Sequence, residues 1–222
     1  MTTAAQAQRK GIIKTLIIVA CIISASLALF INKILTPPSL SKEQLREKGV
    51  YLFEKPRLMK EFSLLDQNAA AITKADLEGK WSLVFFGFTH CPDICPTTLA
   101  VLHQFYEAMK KEPDNRVLLD STRIVLATVD PARDSPETLK EYLAFFNPGF
   151  MGVTGEFMSI YNFASNLNAP FKKIVQDDSY TMDHSAYIFV LNARGDYQGF
   201  IKPPITVDEL MLKYPAIRHL YK

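Results

Sequence analysis

The residue types that usually carry site chemistry are scarce in this chain. Among 222 residues there are three cysteines, four histidines and one tryptophan. No internal repeat or low-complexity tract interrupts a balanced composition, which excludes a disordered or solenoid protein and suits one ordinary core plus an appendage. An excess of positive charge is also missing. Without the four basic residues of the N-terminal segment, 21 Lys and Arg stand against 23 Asp and Glu. No basic cluster occurs elsewhere, so the surface that phosphate binding needs is absent and nucleic acid is excluded as a partner.

Only one long apolar run is present, Thr15 to Ile31, preceded by Arg9, Lys10 and Lys14 and closed by Asn32 and Lys33. About 17 such residues suffice for a span, and basic residues ahead of the run hold that end in the cytoplasm. Residues 1–35 therefore predict a cytoplasmic tail and an N-terminal transmembrane helix, with the rest in the periplasm or an equivalent outer compartment. Two alternatives stand beside the anchor: a cleaved signal peptide, and lipidation at Cys21, since Ile18-Val19-Ala20-Cys21 resembles a lipoprotein cleavage site. Thr36-Pro37-Pro38-Ser39 cannot continue a helix. A linker over 36–49, with a short Ser-capped helix from Ser41 to Lys48, then leads to a domain over 50–222.

Hydrophobic periodicity in that domain predicts strands at Phe62–Leu65, Trp81–Phe88, Arg123–Val129 and Phe171–Val175. It predicts helices at Pro96–Lys110, Pro136–Phe146, Glu156–Leu167 and Thr206–Tyr214. His184–Leu191 and Tyr197–Ile201 flank a turn-rich link and read as a hairpin. An early hairpin around Asp66–Thr73 lacks the glycine such turns often carry. Two parallel strands followed by an antiparallel pair describe an α/β fold, a thioredoxin-like central mixed sheet flanked by helices.

Cys91 and Cys95 are the only cysteines outside the N-terminal run. Read as one helical turn, they share a face, close enough to bind a soft metal ion or to close a disulfide. Pro96 suits a first helical turn, which puts Cys95 beside free backbone donors, while Asp93 adds a negative charge between the thiols. A structural disulfide over three intervening residues would contribute little chain entropy. A redox dithiol is the stronger rival, although the spacing is not two residues and no proline precedes the last hairpin. His184 lies 89 positions beyond Cys95, yet the topology brings the end of the Trp81 strand and the start of the last hairpin to one edge. Two thiols and an imidazole form a set suited to copper or zinc. His90 reads as an outer group only, His103 and His219 as ordinary surface or core residues, and Asp183 as a residue that holds the His184 ring or ends a turn.

Four segments extend the picture: Phe86-Gly87-Phe88-Thr89-His90-Cys91-Pro92-Asp93-Ile94-Cys95-Pro96, Val129-Asp130-Pro131-Ala132-Arg133-Asp134-Ser135-Pro136-Glu137, Gly152-Val153-Thr154-Gly155 and Asp183-His184-Ser185. In this order they resemble the Sco (SenC) family of membrane-anchored copper chaperones. The resemblance implies one copper ion, as Cu(I) or Cu(II), held by Cys91, Cys95 and His184. It also implies delivery to the dinuclear copper site of a cytochrome c oxidase subunit, or reduction of that subunit's cysteines as a thiol–disulfide oxidoreductase, with a Cys91–Cys95 disulfide as the metal-free state. The Asp130–Asp134 turn reads, from its residues, only as a strand-ending turn and helix cap.

Overall fold

The computed structural model describes residues 3–35, 40–177 and 179–221. Thr36–Ser39, the expected stiff linker, lies outside them. The chain divides into two units, 1–39 and 40–222. The first contains helix α1 (Thr3–Leu35), 33 residues long, along which Ile13, Leu16, Ile17, Ile18, Val19, Ile22, Ile23, Leu27 and Phe30 are exposed. Among the described residues, no helix is long and apolar enough to cross a membrane. A helix covers 3–35 of the segment expected at 1–35, but the spanning property expected of it is not met among the described residues; along the run Thr15–Ile31 the described side chains are those of 15–28 and residue 30.

The second unit opens with α2 (Lys42–Glu47), whose Ser41 cap and Gln44 close a reciprocal capping box. Leu45 of this helix is fully buried, so a segment expected in the linker is packed into the domain. The remaining elements follow in chain order: β1 (Val50–Arg57), β2 (Leu64–Asp66), β3 (Ala71–Ile72), β4 (Trp81–Gly87), α3 (Ile94–Lys111), α4 (Pro113–Asp120), β5 (Thr122–Thr128), α5 (Pro136–Ala144), β6 (Met151–Thr154), α6 (Phe157–Asn166), β7 (Phe171–Gln176), β8 (Ser179–His184), β9 (Ile188–Leu191), β10 (Tyr197–Ile201) and α7 (Val207–Leu220).

Eight strands form one mixed sheet in the order β1-β10-β9-β4-β5-β6-β2-β3. β4 pairs in parallel with β5, and β5 with β6, while β9 runs antiparallel on the other side of β4. Every residue of β4 is buried, as expected for a central strand covered on both faces. Its side chains alternate: Phe86 packs on Phe163 of α6, while Gly87 lies beside Phe85 and the sulfur of Cys95. In α3, Cys95, Leu99, Leu102, Phe105 and Met109 form the buried stripe, so Cys95 takes the first position of the helix's core face.

Several elements escape a periodicity reading. β1 carries Pro56 and pairs only with β10, an edge position where a missing N–H is tolerated. Next to it, Gly199 (φ +157°) sits at a register shift where an added Cβ would lie 2.1 Å from the Tyr51 carbonyl oxygen. The early hairpin replaces glycine with Ala69 at φ 62°, and the Asp66 carboxylate accepts from the Asn68 and Ala70 N–H groups, each at 2.8 Å. α7 continues past Pro215 to Leu220 instead of stopping at Tyr214. Arg218 secures its last turn by donating to Ser121 Oγ at 2.9 Å and Tyr214 Oη at 3.1 Å.

The main departure concerns His184. It does not open the last hairpin; it ends β8, which pairs only with β7 in a separate two-stranded ribbon. The strand expected over His184–Leu191 is therefore split: His184 closes β8, and the central sheet resumes at Ile188.

Candidate metal centre

The two thiols do not share a helical turn. Helix α3 begins at Ile94, and Cys91 lies in the preceding loop, where its N–H donates to the Phe88 carbonyl at 3.2 Å. Cys95 is fully buried and Cys91 half-buried, and both are free. His184 arrives from the ribbon: its Nε2 stands 3.6 Å from Cys95 Sγ. The two sulfurs and one imidazole nitrogen all lie within 4.8 Å of one another. Among the described residues this is the one group of three such side chains with ligand spacing.

The ring's other nitrogen fixes its chemistry. His184 Nδ1 is 3.1 Å from the Ser185 carbonyl oxygen, which can only accept, so Nδ1 carries the proton and Nε2 presents a lone pair to the thiols. Phe85 and Phe88 meet the ring edge-on, with centroids 6.2 and 5.9 Å away. Burial lowers the imidazole pKa, opposed by the Ser185 carbonyl and by Asp183, so the ring is neutral at pH 7. Burial likewise pushes the Cys95 thiol far up. The Phe88 backbone hydrogen bond works against that shift, and Cys91 and Asp134 add to it. Desolvation thus outweighs the helix-start donors expected to favour thiolate. Two thiols and a neutral ring at a half-buried edge are a soft-donor set, and a bound cation would supply the charge that makes thiolates stable there.

Asp93 precedes the helix without capping it through its side chain, and Asp134 is the carboxylate that acts on Cys95. Asp183 does not hold the His184 ring; it lies 64% exposed and faces Lys172 at 3.7 Å. His90 turns outward beside Thr89 Oγ1. His103 lies in α3 and His219 in α7, and neither joins the cluster.

The turn after β5 contributes what spacing alone could not reveal. Its helix cap is Ser135, whose hydroxyl accepts from the Thr138 N–H, while both aspartates turn inward. Asp134 is fully buried and accepts from Thr89 N–H at 3.1 Å, Thr89 Oγ1 at 2.6 Å and Thr128 Oγ1 at 2.6 Å. It thereby pins the residue two positions before Cys91. Asp130 pairs with Arg133 and accepts from Tyr180 Oη at 2.9 Å. Only the Asp-Pro-x-Arg-Asp run itself signalled these groups in the sequence; nothing signalled Tyr180. Tyr142 of α5 is a further unforeseen neighbour, a buried hydroxyl without a partner among the described residues, its pKa raised by burial first and then by the negative charge that Cys95, Cys91 and Asp134 carry when ionised.

A family model described as SCO1/SenC matches residues 52–217. The chain belongs to the SCO1/SenC family. A SCO2-like protein of Rickettsia felis is 31% identical over 194 residues, covering 85% of this chain and 89% of that one. Among solved structures, Arabidopsis thaliana ScoI with copper bound superposes with a TM-score of 0.66 at 30% identity, covering 72% of this chain and 98% of that one. Bradyrhizobium japonicum ScoI with copper bound gives 0.63 at 34%, with the same coverage. The thioredoxin-like α/β expectation for the domain therefore holds. The SCO1/SenC match takes in β4, α3 and the ribbon, and with them all three residues of the cluster.

Proposed function

We propose that this SCO1/SenC protein is a copper metallochaperone in which Cys91, Cys95 and His184 hold one copper ion as cargo. The observation that carries the reading is the convergence of two sulfurs and one lone-pair nitrogen within 4.8 Å. Copper-bound relatives of 30% and 34% identity support copper over zinc as the cargo. Family membership supports delivery to the dinuclear copper site of a cytochrome c oxidase subunit. Cys91, the more accessible thiol, is the group an incoming thiolate of that subunit reaches first, so transfer proceeds by ligand exchange at the open side. The apolar run Thr15–Ile31 of the N-terminal helix, preceded by Arg9, Lys10 and Lys14, serves as a membrane anchor that leaves the domain in the outer compartment.

Anaerobic titration of the reduced full-length protein in detergent tests the site. One equivalent of Cu(I) is expected, and none for the Cys91→Ser/Cys95→Ser double variant. Equal binding by wild type and double variant would overturn it. Resistance of the chain to alkaline extraction from membranes tests the anchor.

A second reading is favoured by one observation: the two thiols are free and their sulfurs lie within 4.8 Å of each other. As an oxidoreductase, the pair would pass two electrons and two protons to a partner disulfide and close the Cys91–Cys95 bond. Turnover on a disulfide substrate that survives His184→Ala and is lost in Cys91→Ser is its signature.

A further inference from the structure

The ribbon β7–β8 shares no ladder with the eight-stranded sheet. A lone two-stranded hairpin is marginal in water, so side chains must fix where it lies, and with it the position of His184. At its His184 end, Phe171 opposes His184 in register and packs on Phe157 and Tyr161. Those rings hold the strand. Among the described residues, their ring contacts are with one another and not with the loop that carries Cys91.

Arg133 does connect the two halves. Its guanidinium lies 3.8 Å from the centroid of Tyr180 and 5.6 Å from that of Phe88, and its Nη1 donates to the Tyr180 carbonyl at 3.3 Å. Asp130 holds Arg133 from behind and also takes the Tyr180 hydroxyl. Phe88 in turn meets the His184 ring edge-on and opens the loop to Cys91. The adjacent Asp134 pins the same loop through Thr89. One five-residue turn therefore grips both the thiol loop and the ribbon, and the Phe88 ring contacts both the guanidinium and the imidazole.

We infer that Arg133, braced by Asp130, is a positioning residue that sets the imidazole of His184 against the two thiols by clamping Tyr180 and Phe88. This rests on the copper reading for its metal-bound consequences, but the clamp itself is a property of the metal-free protein. A purely structural role would cost stability without altering which atoms coordinate copper. The extended guanidinium is essential, since facing two rings while its Nε and Nη1 each donate a hydrogen bond is not open to an ammonium.

The test compares full-length wild type, Arg133→Met, Arg133→Lys, Tyr180→Phe and His184→Ala. In metal-free protein with labelled histidine and phenylalanine, NMR contacts between the His184 and Phe88 rings are expected in wild type, weakened in Tyr180→Phe and Arg133→Lys, and lost in Arg133→Met. With Cu(II), nitrogen hyperfine structure in the electron paramagnetic resonance spectrum is expected for wild type and absent from Arg133→Met, which then matches His184→Ala. Arg133→Met should still bind one equivalent of Cu(I) through the thiols. Wild-type ring contacts and nitrogen hyperfine structure in both Arg133→Met and Tyr180→Phe would overturn the clamp. Should Arg133→Met fail to fold, Tyr180→Phe decides alone. A wild-type copper spectrum without nitrogen would instead overturn His184 as a ligand, while the metal-free contacts still decide the clamp.

Discussion

His184 Nε2 stands 3.6 Å from Cys95 Sγ, although the two residues come from elements that share no backbone ladder. Cys95 belongs to the core face of α3; His184 ends a ribbon outside the sheet. The contact is therefore made by side-chain packing at an edge, and substitutions there separate ligand geometry from fold stability.

Replacing His184 with Ala removes the only nitrogen donor of the cluster. Copper affinity should fall by more than the ~10–100-fold typical of losing an outer-shell partner of a metal ligand. Competition with a calibrated Cu(I) chelator measures it, and unchanged affinity would remove His184 from the site.

Asp134→Ala strips Thr89 and Thr128 of their shared acceptor within a buried pocket. A buried donor left unsatisfied costs about 1–3 kcal/mol; Thr128 is fully buried, whereas the half-buried Thr89 donors recover part of their bonding from water, so a loss of roughly 2–4 kcal/mol is expected in urea unfolding. Faster alkylation of Cys91, through release of the Thr89 loop, should accompany it.

Gly87 is the position where a single methyl group reaches the site. An added Cβ would lie 3.0 Å from Cys95 Sγ, 3.0 Å from Phe85 Cε1 and 3.1 Å from Leu126 Cδ1. Gly87→Ala should destabilise the domain by about 1–3 kcal/mol through overpacking. The copper absorption spectrum should shift with it; wild-type stability and spectrum together would show that the sulfur yields freely.

Far from the thiols, Lys213 is buried at 2% exposure with its ammonium 2.8 Å from Glu209 Oε2. The hydrogen bond and charge of Lys213 hold the Glu209 carboxyl below its ordinary range. A depressed folded-state pKa means stability that is present above the unfolded value of 4.5 and lost as pH falls through the folded value. Glu209→Gln should therefore be less stable than wild type near pH 7, by less than the ~3–5 kcal/mol of a fully buried pair because Glu209 is partly exposed. The gap should close below pH 4.5. A gap independent of pH in thermal unfolding would count against the pair.

Much of this was readable in the chain. The run from Trp81 to Phe88 is apolar because the strand is covered on both faces, and Leu99, Leu102, Phe105 and Met109 repeat at helical spacing because one side of α3 is core. Cys91, Cys95 and His184 stood out by residue type. What sequence could not give was the host of His184, because Ser179–His184 pairs only with β7 and so lacks the alternation of a strand in a covered sheet. Nor does spacing reveal that Asp134 turns inward, since a buried carboxylate and a surface cap look alike until Thr89 and Thr128 are brought to it. Pro215 looked like an end to the last helix, but Arg218 beyond it found partners on Ser121 and Tyr214.

The separateness of the ribbon also makes the centre modular. Two donors are rooted where the central strand runs into α3, Cys91 in the connecting loop and Cys95 in the helix, whereas the third sits on a hairpin that could be exchanged as a cassette. An engineer wishing to change ion selectivity can vary position 184, or graft another β7–β8 hairpin between Pro170 and Ser185, while leaving the eight-stranded ladder intact.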